Sequence, residues 1–143
     1  MKKRVSITLG TIIILLFVAS LLIQNPEQRT MRYYNNHRLQ LINDIENYFD
    51  QGEPLPSYSG ITINEWNGEH PIVEYIVISK GIVTASSYYG FFYSKDDVPV
   101  SFQNSRYGVV KTSHTEWEWN GEGDNQGIVR KLESHWYYFE ASL

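Results

Sequence analysis

Nineteen consecutive residues, Val5 to Ile23, carry no charge, and Lys2, Lys3 and Arg4 stand immediately before them. At about 1.5 Å of rise per helical residue, that run covers roughly the 30 Å hydrocarbon core of a bilayer. No comparable apolar stretch exists elsewhere in the chain to enclose it, so it reads as a membrane span rather than a buried core helix. A cleavable signal has an apolar stretch of about 7 to 15 residues followed by a small-residue site. Val18-Ala19-Ser20 resembles such a site, but Leu21-Leu22-Ile23 continues the apolar run through it, which favours an uncleaved anchor. The basic tail 1–4 is expected in the cytoplasm, which makes 24–143 a single extracytoplasmic domain of a single-pass membrane protein.

The two parts differ in charge. Setting Lys2, Lys3 and Arg4 aside from the 12 basic residues leaves 9 against 16 acidic ones, a net of −7 for the outer part. Phosphate recognition needs clustered Lys and Arg, so nucleic acid is not the expected partner, nor is an anionic lipid surface the main one. With no cysteine there is no disulfide, no thiolate metal site, no lipid anchor on cysteine and no cysteine nucleophile. The domain must hold together by packing, chiefly of its aromatic rings, each of which buries roughly 150 to 250 Å².

Asn25-Pro26-Glu27 is a helix start: an N-cap, a proline in the first turn and an acid near the positive dipole end. Tyr34, Arg38, Leu41, Ile45 and Tyr48 recur at spacings of three and four, with Phe49 alongside, and Gly52 then Pro54 end the pattern. The spacing predicts an amphipathic helix from about residue 26 to 50. From Ile61 the texture changes to short β-rich runs divided by turn residues, the pattern of an antiparallel sheet. Five to six strands are expected. One follows Ile61, turning at Asn67-Gly68; a central one runs from Pro71 to Ser79; others cover Tyr88–Tyr93, Thr115–Trp119, Ile128–Leu132 and Trp136–Glu140. One helix ahead of all the strands defines an α+β domain rather than a doubly wound fold.

No motif carries an enzyme's chemistry on its own. Asn120 to Gly127 begins like a calcium loop, but Lys131 stands where an EF-hand has its bidentate Glu, so it reads as a polar hairpin loop. His114 with Glu116, and His135 with Glu133, are isolated couples, short of the three ligands a zinc centre needs. Glu116 and Glu118 share a strand face like a glycosidase carboxylate pair, yet a solvated face is the better account of them, since catalysis also needs a cleft. No catalytic residue, metal site or cofactor is therefore assigned.

Tyr88-Tyr-Gly-Phe-Phe-Tyr-Ser-Lys-Asp-Asp97 with Pro99, and Trp136-Tyr-Tyr-Phe-Glu-Ala-Ser142, resemble segments of small bacterial proteins, mainly Gram-positive, that have one amino-terminal span and no assigned function. The resemblance implies membrane anchoring and no activity. The architecture is also similar to a type IV pilin: Lys2-Lys3-Arg4 and Gly10 suggest its leader, while Thr11 and Leu15 depart from the aromatic and Glu of that family.

The core is expected from Leu41, Ile45, Tyr48 and Phe49 of the helix against Ile72, Ile76, Ile78, Phe91 or Phe92, Trp117 and Phe139. Aromatics left over would form a contact surface, and alternation favours Trp136 and Tyr138 for it, with Trp66 as neighbour. The expected function is binding of an envelope or secreted protein. The alternatives are an immunity-type protein against a secreted toxin, a pilin-like subunit, and a small cell-wall hydrolase using Glu116 or Glu118. The anchor reading predicts that mass measurement on the membrane fraction finds Met1 to Ile23 still attached; a product beginning at Leu21 or later contradicts it.

Overall fold

A computed structural model describes residues 25–82 and 85–143. The expected anchor, 5–23, lies outside the described residues, and among these no helix is long and apolar enough to cross a membrane. The chain is α+β: helix α1 (Pro26–Glu46) packs on one antiparallel sheet of seven strands. Asn25 caps α1, its side chain accepting from the Glu27 N–H at 3.1 Å. A π-helical turn (Asn47–Gln51) extends α1, and Gly52 ends it in the left-handed conformation at φ 71°, which glycine adopts without a Cβ penalty.

The strands are β1 (Thr62–Trp66), β2 (Ile72–Ile82), β3 (Ala85–Ser94), β4 (Val110–Lys111), β5 (Glu116–Asn120), β6 (Gln126–Glu133) and β7 (Trp136–Ser142). Their order in the sheet is β1-β2-β3-β7-β6-β5-β4. The seventh strand, beyond the five or six expected, is β4: two residues, paired as Val110 with Glu118 and Lys111 with Trp117. Two residues write no period into a sequence, so only the pairing reveals them.

Both faces of the central strands β2, β3 and β7 are covered, and this corrects the expected core. Against α1 lie Val73, Tyr75, Phe91 and Trp136, meeting Tyr34, Leu41 and Ile45. The Phe91 ring sits 5.1 Å from both Tyr75 and Tyr34. Of Phe91 and Phe92, Phe91 is the one that meets the helix. Ile72, Ile76 and Phe139, expected against the helix, occupy the other face with Phe92, Trp119, Val129 and Tyr137. Trp117 packs there only partly buried, as do Tyr48 and Phe49 on the helix side. The second cover is the segment 98–109, which straps across that face: Phe102 lies 4.9 Å from Tyr88 and 5.4 Å from Phe139, and Tyr107 stacks on Trp119 at 6.3 Å.

Between Tyr75 on β2 and Phe139 on β7, a Cβ at Gly90 would collide with the Tyr75 carbonyl oxygen and stand 2.7 Å from the Phe139 ring. Only glycine admits that close approach. Leu41, fully buried at the middle of the helix seam, is expected to cost about 2 to 5 kcal/mol on substitution by Ala. A denaturation midpoint unchanged in Leu41→Ala would mean that α1 is not seated on the sheet.

Candidate functional site

Three turns meet at one end of the sheet: residues 67–71 between β1 and β2, 95–98 after β3, and Ser134-His135 between β6 and β7. Helix α1 runs toward this rim. Glu27 in its first turn pairs with Arg130, midway along β6; Arg38 pairs with Glu133 at the end of β6; and Phe49, beyond its last turn, packs 5.6 Å from Tyr93 and under Lys95.

Asp97 organises the rim. It takes the left-handed conformation at φ 56°, and its carboxylate accepts from Lys131 Nζ at 2.7 Å, the His135 N–H at 2.8 Å and the Tyr137 hydroxyl at 2.9 Å. Burial raises the Asp97 pKa, but these donors outweigh it and hold the group below the ordinary Asp value. His135 is left-handed too, at φ 65°. Its Nδ1 faces the Ser94 carbonyl at 2.9 Å; a carbonyl only accepts, so Nδ1 carries the proton and Nε2 is the ring's free acceptor. Its ring stacks on Tyr93 at 5.4 Å.

Beside it, a cleft of about 190 Å³ opens between α1 and the β6–β7 turn, lined by Ile42, Glu46, Tyr93, Ser134 and His135 among others. Glu133 at its edge is held by Arg38 first and by the Tyr34 hydroxyl, which lower its pKa against the opposing effect of burial. The couple His135 with Glu133 therefore does not form: each group is bound elsewhere.

On the strap side, a crevice of about 400 Å³ runs between the β1–β2 turn and residues 98–109. A buried carboxylate fixes its wall. Glu74 is 1% exposed, and it accepts from Asn64 Nδ2 at 3.0 Å and from the Gln103 N–H at 2.9 Å. Gln103 and Asn104 are both left-handed, at φ 57° and 48°, and the Asn104 side chain donates to the His70 carbonyl at 2.9 Å. Burial raises the Glu74 pKa, partly offset by Asn64, Gln103 and the neighbouring Trp66.

The expected aromatic patch does not lie on the surface. Trp136 is 3% exposed beneath α1, and Tyr138 is fully buried under Arg130, its hydroxyl donating to Glu140 at 2.7 Å. The alternation was legible, since Trp136 and Tyr138 do share a face. Because β7 is a central strand covered on both sides, however, neither alternating set is left over. Trp66 is half-buried against the second face, and its buried indole N–H makes no hydrogen bond of ordinary geometry. Glu116 is half-buried opposite Arg130. Exposed Glu118 shares a row with Ile128 and Glu140, which line a shallow depression of about 330 Å³ on the part of the sheet beyond the helix. His114 is exposed in the turn before β5. Among the described residues no three His, Asp or Glu groups converge as metal ligands. Sequence reasoning missed Asp97: Ser94-Lys95-Asp96-Asp97 signals a turn, but not which donors will surround it.

No protein-family model, curated protein or solved structure matches the chain.

The crevice wall yields a pH prediction. The folded-state pKa of Glu74 is raised, so its contribution to stability is fully present below the unfolded value of about 4.3 and is lost as the pH rises through the folded value. Asp97 and Glu133, with lowered pKa values, act in the opposite sense at the acid end. Glu74→Gln, which accepts from Gln103 and donates to a turned Asn64 amide, is expected to remove the loss on the rising-pH side. Denaturation midpoints followed from pH 5 to 8 test this; a variant destabilised by the same amount throughout that range contradicts it.

Proposed function

We propose that this chain is a membrane-tethered binding domain that holds its turn rim outward toward a protein partner in the cell envelope or arriving from outside. The observation that carries the reading is the direction of α1. A chain anchored through residues 5–23 enters the domain at Pro26, beside Arg130, and its helix leads to the rim, so the rim is the part farthest from the anchor along the helix. There the backbone is fixed in advance by Asp97, which lowers the ordering cost that binding otherwise carries. Exposed Glu69, Lys95, Asp96 and Ser134 alternate in chemistry around it. The rival hydrolase reading has less support, because Glu118 is exposed, Glu116 is half-buried opposite Arg130 and His114 projects from a turn.

The full-length chain in neutral detergent, used to capture partners from envelope extracts and culture supernatant, tests the reading against a Lys95→Glu, Ser134→Arg double variant. Both positions are exposed, so the fold is expected to persist. A partner that binds the wild type and is lost from the variant supports the rim. Equal capture by both chains contradicts it, and turnover of a wall substrate lost on Glu116→Gln would favour the hydrolase.

A further inference from the structure

The sheet has two edges, and they are guarded unequally. An edge strand presents unpaired N–H and C=O groups that another chain can extend, unless the edge is short, carries a lysine or is interrupted by proline. On one side β4 is two residues long and contains Lys111. On the other, β1 runs for five residues, Thr62-Ile-Asn-Glu-Trp66, with no Lys, Arg, Pro or Gly among them.

The register identifies the unpaired groups of β1. Along a strand flanked on both sides, successive residues direct their backbone groups to one neighbour and then the other. The Lys95 N–H donates to the Pro71 carbonyl at 3.0 Å, so by alternation Val73 and Tyr75 bond toward β3, while Ile72, Glu74 and Ile76 bond toward β1. Their partners there are Trp66, Asn64 and Thr62, which leaves Ile63 and Glu65 with N–H and C=O directed away from the sheet. Among the described residues nothing bonds to these four groups. The preceding segment 53–60 meets this part of the chain only ahead of the strand, where the Ile61 N–H donates to the Tyr58 carbonyl at 3.2 Å.

A groove of about 290 Å³ follows the same edge, with Ile61, Ile63 and Glu65 on one side and Leu55, Pro56 and Ser57 on the other. Ile61, Ile63 and Glu65 are an alternate set on one face, so a strand laid along the edge would place its own alternate side chains beside them. Glu65 is exposed, accepts from the Tyr48 hydroxyl at 2.6 Å, and has no cation within ion-pair distance among the described residues. From residue 39 to 79 the sequence holds seven Asp and Glu residues and no Lys or Arg.

From this edge we propose that β1 pairs with an extended segment of another protein, added antiparallel, that sets a Lys or Arg opposite Glu65 and a β-branched apolar residue, two positions later, opposite Ile63. Main-chain bonds to Ile63 and Glu65 supply the attachment, and the groove and the carboxylate select the side chains. A second copy of β1 fits less well, because pairing the strand with itself through its outward groups sets Glu65 against an isoleucine or a second Glu65 and brings no cation. The edge is a separate surface from the turn rim and stands without the anchored reading.

The test titrates the full-length chain in neutral detergent with a capped peptide, Thr-Thr-Lys-Thr-Val-Thr-Thr, and with two relatives: one N-methylated at the Lys and Val amides, one with Glu in place of Lys. Binding is read from the nuclear magnetic resonance signals of the Ile63 and Glu65 backbone amides. The parent peptide is expected to shift both saturably and to slow their hydrogen exchange. The methylated peptide, lacking two ladder donors, is expected to bind about tenfold more weakly, and the Glu peptide about threefold more weakly. In Glu65→Lys, a change at an exposed position, the Lys and Glu peptides are expected to exchange rank. No saturable shift at Ile63 and Glu65, or equal binding of the parent and methylated peptides, overturns the edge. An unchanged ranking in Glu65→Lys overturns the charge assignment. The Lys95→Glu, Ser134→Arg double variant is expected to bind the parent peptide as the wild type does; loss there moves the contact to the rim. Signals that shift with protein concentration alone, with a dimer in sedimentation, overturn the foreign segment in favour of a second copy.

Discussion

Phe91 and Phe92 are adjacent in the chain and point to opposite faces of β3, and both are essentially excluded from water. A strand with large rings on both sides needs two covers, and the fold supplies them in unlike forms. Helix α1 lies on the Phe91 side and the strap 98–109 on the Phe92 side. The partner strand β7 repeats the arrangement with Trp136 and Tyr138 on one face, Tyr137 and Phe139 on the other. Ring on ring across this central pair, for instance Phe92 on Tyr137 at 5.1 Å, takes the place that disulfides fill in many small secreted domains.

The strap is irregular chain laid over a sheet, and such chain needs partners for its backbone groups. Glu74 provides one from below, accepting the Gln103 N–H where two successive residues take the left-handed conformation. Non-glycine residues pay roughly 1 to 2 kcal/mol each for that conformation, so the bonds of Glu74 and Asn104 offset a real cost. Asp97 does the same at the rim, where it joins the turn after β3 to the β6–β7 turn through the His135 N–H and the Tyr137 hydroxyl. Two carboxylates thus fix the turns that frame both openings at the rim.

Local chemistry was legible in the sequence and global placement was not. Asn25 and Pro26 start the helix and Gly52 ends it because caps act within a few residues. Thr115 to Trp119 alternates as written, with Trp119 buried and Glu118 exposed. Alternation states which residues share a face, but not which face a helix will cover or whether a loop will cover the other. Ile76 and Phe139 were therefore assigned to the helix side, and Trp136 and Tyr138 to solvent. The strands β2 and β3 extend to Ile82 and back from Ala85, past the apolar runs that announced them, because each ladder bond stabilises the next regardless of side chain. The rim itself is built from contacts between residues 34 to 40 positions apart, such as Asp97 with Lys131 and His135, and no local pattern encodes these.

The proposed orientation of the domain links fold to function: the turn rim outward, the start of α1 toward the membrane. From Ser134 to Ser142, β7 and its preceding turn span about 25 Å at the rise of an extended strand, enough to separate the two ends by depth. Because the chain has no cysteine, single spin labels can be placed without background. The decisive measurement is the distance from the bilayer of labels at Ser134→Cys and at Ser142→Cys in the full-length chain reconstituted in vesicles, read by collision with a lipid-soluble and a water-soluble relaxant. The account predicts that position 142 lies near the headgroups and position 134 well out in water. Equal depths, or position 134 nearer the membrane, would contradict it.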